Sequence, residues 1–460
     1  QELEYRDAGY TFPIDPTPFS GFGYEQVVSR LFDKLHLSSA NAPKMLQMDP
    51  AVQVILPGHR VDIFRDQCRL IDELLREFPA REREIRRLYR AVSKGSERIG
   101  GWIGEESAGR HHTLNQKFGN LLRLINTISA SSAIAVYGSG KNGALERIIE
   151  AQIAFLSHLA IDSSFFPLVT AYLLSIPSKG IFYPLGGRKA LMNWLRSEFI
   201  ASGGEVLDGC SVMRIDTKPE IIVDVEQAGS SSALHGSTLI VSANWEKLNL
   251  LLLHQRPFRR VTRNLDINHP AGYPFCLHLG VHQDATPEKM APYVAVVPDE
   301  NTPIRHQNVV LLTQSLRGEP DRAPDGKRAL SATIFLHESP LVVDDSHLKD
   351  TAKTIIDSLE SFLPFLRESI DYVNIEKSIA FARQYQEMIN QKYRLRKYSF
   401  VGLNTLSPVT PLRNVLLTGG ILRAGLGFEG EILAGMDTAA MVVNESRKRS
   451  EASHLGGNSR

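Results

Sequence analysis

Residues 183–206 read YPLGGRKALMNWLRSEFIASGGEV, and this stretch frames the rest of the chain. Gly180 to Gly187 reads as a loop, and the residues from Arg188 to Ser202 as a helix with Leu191, Trp194, Leu195 and Phe199 on one face. Gly203-Gly204 stops that helix, because glycine accepts the left-handed backbone at which helices end. Short strands are then expected at 205–207, 212–216, 221–226 and 237–242. A mostly helical half gives way here to a strand-rich one.

Upstream, residues 7–23 (DAGYTFPIDPTPFSGFG) read as a strand followed by loop turns, and 52–64 (VQVILPGHRVDIF) as a hairpin around Pro57-Gly58. Leu70, Ile71, Leu74 and Leu75 recur at helical spacing until Pro79 interrupts; the pattern resumes over 82–92, with further helices at 114–128 and 144–159. The longest apolar run, 165–176, is twelve residues and contains Pro167, Thr170 and Ser175. A spanning helix needs about 18 or more, so a buried helix is the preferred reading over a surface that dips into a bilayer. Downstream come four strand-like runs between 272 and 337, a helix over 348–366 broken by Pro364, a buried strand at 415–418 and an apolar helix over 431–444. Residues 446–460 are polar and expected to be disordered. The order implies a mixed α/β protein of two interleaved domains.

The chain has 460 residues, a formal charge of +1, 43% hydrophobic residues and three cysteines. That is enough apolar material for a substantial core and no basic excess for a nucleic-acid partner. Cys68, Cys210 and Cys276 are too few and too scattered for a disulfide framework or a metal site, which points to a reducing, cytoplasmic setting. No H-E-x-x-H, G-x-S-x-G or C-x-x-C occurs. His111-His112, His278 and His282 read as core or surface histidines, and Tyr393 to Phe400 as a solvated strand or helix face. Gly138 to Gly143 (GSGKNG) matches G-x-G-x-x-G, with Asp162 about 20 residues on as a dinucleotide fingerprint asks. The strand before it is short, and helices surround it, so a loop leading into an N-cap is the preferred reading.

The glycine-rich pieces gain meaning in sequence. Gly9 to Asp15 gives G-Y-x-F with a following Asp, Leu56 to Gly58 the LPG hairpin, and Glu77 to Pro79 the E-F-P end of a helix. Y-P-x-G-G, a helix and G-G-E-V with downstream Val212 follow, then Ile240 to Asn244 (IVSAN). Asn414 to Gly420 (NVLLTGG) and Gly425 to Gly430 (GLGFEG) complete the series ahead of a closing helix. In this order they resemble the flavin-dependent amine-oxidase and phytoene-desaturase superfamily, nearest to its phytoene-dehydrogenase-like and retinol-saturase-like oxidoreductases. The likeness runs from about residue 5 to 445.

The resemblance implies an FAD/NAD(P)-binding Rossmann-like domain, here incomplete at its N-terminus, interleaved with a substrate domain of a sheet and helices. The cofactor-binding part would comprise 1–65, 180–250 and 405–445, and the substrate domain 66–179 and 251–404. By resemblance Val212 contacts the adenosine half of FAD through its backbone, and Ser242 and Ala243 sit near the cofactor. Gly419 and Gly420 approach the pyrophosphate–ribityl stretch, while Gly427, Phe428 and Glu429 bring backbone N–H groups to the pyrimidine edge of the ring. The implied chemistry is hydride transfer between the flavin and a hydrophobic polyene or isoprenoid-like substrate, with peripheral membrane contact through the apolar helices of 144–176. No catalytic residue and no metal ligand is assigned.

The family pattern starts with a strand, G-x-G-x-x-G, a helix and a ribose-binding Glu, and this sequence begins after that unit; Gly420 also stands where an acidic residue is usual. Gln1 as first residue leads us to expect truncation or processing. A partner chain supplying the nucleotide-binding unit, or a cofactor-less subunit of the same fold acting in binding or assembly, are the other readings.

Overall fold

The computed structural model describes residues 4–15, 17–37, 41–106, 143–161, 167–242, 251, 268–304, 308–386, 389, 391–395, 408–410, 412, 414–420 and 422–456. The chain opens with strands β1 (Glu4–Asp7), β2 (Tyr10–Pro13) and β3 (Phe19–Ser20), helix α1 (Val27–Lys34) and β4 (Met45–Met48). The expected single strand near the start is thus an antiparallel hairpin, turned at Ala8-Gly9 where both residues take positive φ. β5 (Val52–Leu56) and β6 (His59–Ile63) form the hairpin expected around Pro57-Gly58. Helix α2 (Gln67–Glu77) is capped by Asp66, whose carboxylate accepts from Arg69 N at 2.8 Å, and α3 (Glu82–Glu106) resumes after Pro79 and runs beyond the expected end. The helix expected at 114–128, His111-His112 and Gly138 to Asn142 lie outside the described residues, as does Asp162.

Helix α4 (Ala144–Leu156) starts after Gly143, followed by α5 (Pro167–Lys179), β7 (Ile181–Pro184) and α6 (Gly187–Ala201). Residues 181–184 were expected in a loop because of their flanking glycines and Pro184. Instead β7 is the middle strand of a small sheet, β3-β7-β4, since its aromatic and β-branched side chains fill a buried sheet position. β8 (Cys210–Asp216), β9 (Ile221–Gln227) and β10 (Ser230–Gly236) make an antiparallel meander, and β11 (Leu239–Val241) follows. Residues 205–207 are not a strand. β10 has no apolar alternation and is exposed throughout; it is set by the turn, where Ala228 and Gly229 both have positive φ, as two-residue hairpin loops require.

The strand-rich part is β12 (Asn268–His282), β13 (Tyr293–Val296), β14 (Val310–Gln314) and β15 (Lys327–Leu336), all four near their expected places. Then come α7 (Asp345–Glu360), α8 (Leu366–Ser369), β16 (Ile370–Val373), α9 (Ile375–Gln384), β17 (Lys392–Leu395) and β18 (Val415–Leu417). The terminal helix α10 (Gly427–Gly456) is longer than expected at both ends, so the polar stretch from Ser446, expected to be disordered, is helical to Gly456. The basic–aromatic stretch expected to be a solvated face begins in β17, where Tyr393 is buried beside Leu159 and Val415.

The large sheet has the order β16-β12-β15-β14-β13-β5-β6, with β17 also on β12. One face carries Val54, Tyr293, Ala295 and Leu311 against α2 to α5; the other carries Ile55, Val294, Val296 and Leu312 against α7 and α9. This alternation is the period of two that puts successive side chains on opposite faces. Among its residues α4 buries Leu145 to Ile149 and Ala151 to Leu156, and in α5 those from Thr170 to Ile176 are buried. These apolar helices therefore spend their surface inside the protein. Among the described residues no helix is long and apolar enough to cross a membrane.

Candidate functional site

Two of the segments singled out in the sequence meet over the large sheet. Thr11, Pro13, Asp15, Thr17 and Phe19 line a narrow cleft together with Tyr183, Pro184, Gly187 and Arg188. Tyr293, Thr313, Ser315 and Ala329 line its floor, with Arg322 from the loop before β15. Gly186 and Gly187 have φ of 79° and 68°, which turns the chain from β7 straight into α6. At Gly187 the place of a Cβ is filled by the Arg322 guanidinium.

The charges are paired within the walls. Asp15 accepts from Thr17 N at 2.9 Å and Thr17 Oγ1 at 2.6 Å and lies 3.6 Å from Arg188 Nη2. Burial works to raise the Asp15 carboxyl, but Arg188, Thr17 and the nearby His158 together hold it below the ordinary carboxylate range. The Arg188 guanidinium sits 4.7 Å above the Phe19 ring and donates to Thr17 O at 3.3 Å. Arg322 joins Glu4 at 2.8 Å and Glu319 at 3.3 Å, and Tyr183 donates to the other Glu319 oxygen at 2.6 Å. Burial, then the Glu319 charge, raises the Tyr183 phenol well above its usual value, so it stays a donor. Three buried atoms on residues that line the cleft, Arg188 Nε, Thr313 Oγ1 and Gln314 Oε1, have no hydrogen-bond partner. Sequence reasoning missed Arg188, Thr313, Glu319 and Arg322; only Arg188, adjoining the Y-P-x-G-G turn, carried a signal.

The residues expected at a cofactor fall into two groups. β11 and β18 are parallel, with Leu239, Ile240 and Val241 opposite Val415, Leu416 and Leu417. Ser242 and Gly419 lie just beyond their carboxyl ends, the edge at which α/β sheets hold ligands. Gly419 has φ of 101°, and a Cβ there would stand 3.2 Å from Ser242 Oγ. Gly420 continues this turn, and half-buried Val212 of β8 packs on the cluster containing Val241 and Leu417. Ala243 lies outside the described residues.

The second group opens α10. Gly427 (φ 55°) abuts the Leu156 carbonyl, where any side chain would collide. Phe428 packs in an aromatic cluster, with its ring 5.1 Å from Phe19. Glu429 is buried and accepts from the Tyr172 hydroxyl at 2.6 Å, while its Oε1 has no partner. Phe19 therefore touches both the cleft and the start of α10. Lys392 is buried behind this junction, donating to Ala154 O at 2.6 Å and to Ser157 O; burial pulls its ammonium down to about 7, against the opposing pull of Asp15.

A flat aromatic ring with oxygen and nitrogen at its edge fits these elements. The cleft has aromatic and proline walls, its lining residues carry three buried polar atoms in want of partners, and a tight glycine turn stands at the parallel strand ends. Among the described residues no group of three or more His, Cys, Asp or Glu could hold a metal.

No family model matches the sequence, and no characterised protein matches it by sequence. Solved structures do match by fold. A redesigned putrescine oxidase superposes with a TM-score of 0.57 at 13% identity, covering 96% of this chain and 90% of that one. A reduced UDP-galactopyranose mutase gives 0.51 at 13% identity over 96% and 87%, and the PF1083 protein of Pyrococcus furiosus 0.52 at 12% over 95% and 86%. The chain shares the fold of these solved structures, a mixed α/β fold as the order of elements implied. At this identity the likeness carries fold alone.

Proposed function

We propose that this chain is an FAD-dependent oxidoreductase of the desaturase or saturase type, transferring hydride between flavin and a hydrophobic, unsaturated substrate. The observation that carries the reading is the convergence of the Gly9–Asp15 segment and the Y-P-x-G-G turn on one cleft, bounded by Phe19 next to the start of α10. When bound, FAD would supply the hydride-accepting or hydride-donating ring. The chain's residues would do the rest: Tyr183, Tyr293 and Phe19 exclude water, and the Asp15–Arg188 pair fixes the wall without leaving net charge in it. By resemblance Ser242, Ala243, Gly419 and Gly420 would lie along the nucleotide side, with Val212 behind them. Gly427 to Glu429 would serve through their backbone, since the Phe428 and Glu429 side chains are engaged with Phe19 and Tyr172.

The test is an absorbance spectrum of the purified chain before and after excess FAD and desalting. Retained flavin bands support the reading; a colourless protein that ignores FAD refutes it for this chain alone. A second reading, a partner-completed or cofactor-less subunit, is favoured by one feature. Among the described residues β11 pairs only with β18 and its Ile240 is 46% exposed, and in this reading another polypeptide would add to that edge. The apolar side chains of α4 and of residues 170–176 are almost all buried, so membrane contact would need another surface; liposome flotation tests it.

A further inference from the structure

The meander of β8, β9 and β10 ends in two unlike edges. Edge strands ordinarily discourage further pairing with charge, proline or a bulge. β8 follows that rule: it carries Arg214 and Asp216 and breaks its register between Val212 and Arg214. β10 does not. Ser230 to Gly236 (SSSALHG) is exposed at all seven positions, holds no Asp, Glu, Lys, Arg or Pro, and keeps an unbroken register. Among the described residues it pairs only with β9. Its Leu234, 42% exposed, ends the cross-strand row of Ile215 and Val223 on the open side.

The two-residue turn at Ala228-Gly229 fixes which backbone groups remain to be used. It makes Gln227 and Ser230 the closing hydrogen-bonded pair, and an antiparallel ladder alternates from there. Ser230, Ser232, Leu234 and Gly236 thus spend their N–H and C=O groups on β9, while Ser231, Ala233 and His235 point theirs outward. This pattern is self-complementary. Turned antiparallel about a two-fold axis at Ala233, that residue meets its own copy and Ser231 meets the partner's His235, so every outward group finds a match. An axis at Ser232 or Leu234 would set outward groups against spent ones. On one face Leu234 comes diagonal to the partner's Leu234, at about 7–8 Å and within side-chain reach. On the other, Asp224, opposite Ala233 in the register, stays three strand spacings or about 14 Å from its counterpart, beyond the screening length. We propose that the β10 edge joins two copies of this chain into a two-fold dimer, merging their meanders into one continuous sheet.

Sedimentation velocity on the intact chain tests this from about 1 to 100 μM, because a single strand pair falls short of a standard interface and makes a weak dimer. The expected result is a shift from monomer to dimer across that range. Amide hydrogen exchange locates the contact: Ser231, Ala233 and His235 should exchange about tenfold slower at the upper concentration, while Ser232 and Leu234, already bonded to β9, change least. Ala233→Pro removes an outward N–H and spares the β9 ladder, and Ala233→Lys opposes two ammonium groups on the axis. Each should weaken the dimer about tenfold or more with the far-UV circular dichroism unchanged. Ile240→Lys, on the open edge of β11, should leave it intact. A chain that stays monomeric throughout overturns the proposal. So does a dimer that survives both Ala233 variants, one that Ile240→Lys abolishes, or protection that rises at Leu234 and not at Ala233.

Discussion

Replacing Gly187 by alanine is the sharpest probe of how the cleft is built. The position has φ of 68°, and the space its Cβ would need is occupied by the Arg322 guanidinium. Alanine in a left-handed conformation costs about 1–2 kcal/mol by itself. The larger effect comes from pushing Arg322 off Glu4 and Glu319, where all three side chains are at most 6% exposed. Breaking a buried ion pair costs about 3–5 kcal/mol. The low end applies here, because Glu319 keeps Tyr183 and the Leu316 N–H, and Glu4 keeps Lys189 at 3.6 Å. Gly187→Ala is therefore expected to destabilise by about 4–5 kcal/mol. In an Arg322→Ala background the methyl enters vacated space, and only the backbone cost of about 1–2 kcal/mol remains. Urea unfolding followed by tryptophan fluorescence, with buried Trp194 on the helix that Gly187 starts, measures both changes. Effects of the two substitutions that add to within about 0.5 kcal/mol would refute the steric coupling.

Among the described residues Tyr172 is the one hydrogen-bond partner of the Glu429 carboxylate, so Tyr172→Phe should cost about 1–3 kcal/mol, most of it recovered in Tyr172→Phe/Glu429→Leu; equal melting temperatures for the wild type and the single variant would contradict this. The buried Lys392 titrates near 7 in the folded chain, below the unfolded value of a lysine, so the unfolded state binds more protons between about pH 7 and 10. This lysine should make stability rise with pH across that window, by at most about 1.4 kcal/mol per unit, and Lys392→Met should flatten the rise. A pH profile unchanged by the substitution would show that Lys392 is not the titrating group.

Local signals carried the elements well. The 52–63 hairpin, the helix ahead of Pro79 and the four strands from β12 to β15 follow from periodicity and turn residues, which act within a few positions. The exceptions are instructive. β7 lies between glycines, so local punctuation argued for a loop, whereas pairing with β3 and β4 decided for a strand. The site was only half legible. Asp15 and the Y-P-x-G-G turn stood out in the sequence, but the partners of that turn, Glu4 and Arg322, are separated by 318 positions and neither sits in a motif. Thr313 reads as one more residue of a buried strand until the sheet register sets it beside Ser331.

Strand β12 has a consequence for how such a chain can change over evolutionary time. Its later residues pair with β15 and β16, and its first residues with β17, whose Tyr393 exchanges backbone hydrogen bonds with His158 and Ala160 after α4. At about 3.3 Å per residue its fifteen residues span about 46 Å, tying the large sheet to the segment that follows α4. Losing one residue would turn every later side chain to the opposite face and disturb three pairings at once. Length variation among relatives should therefore gather in the turn at 228–229 or the loop at 316–326, and β12 should keep its length even where its side chains drift.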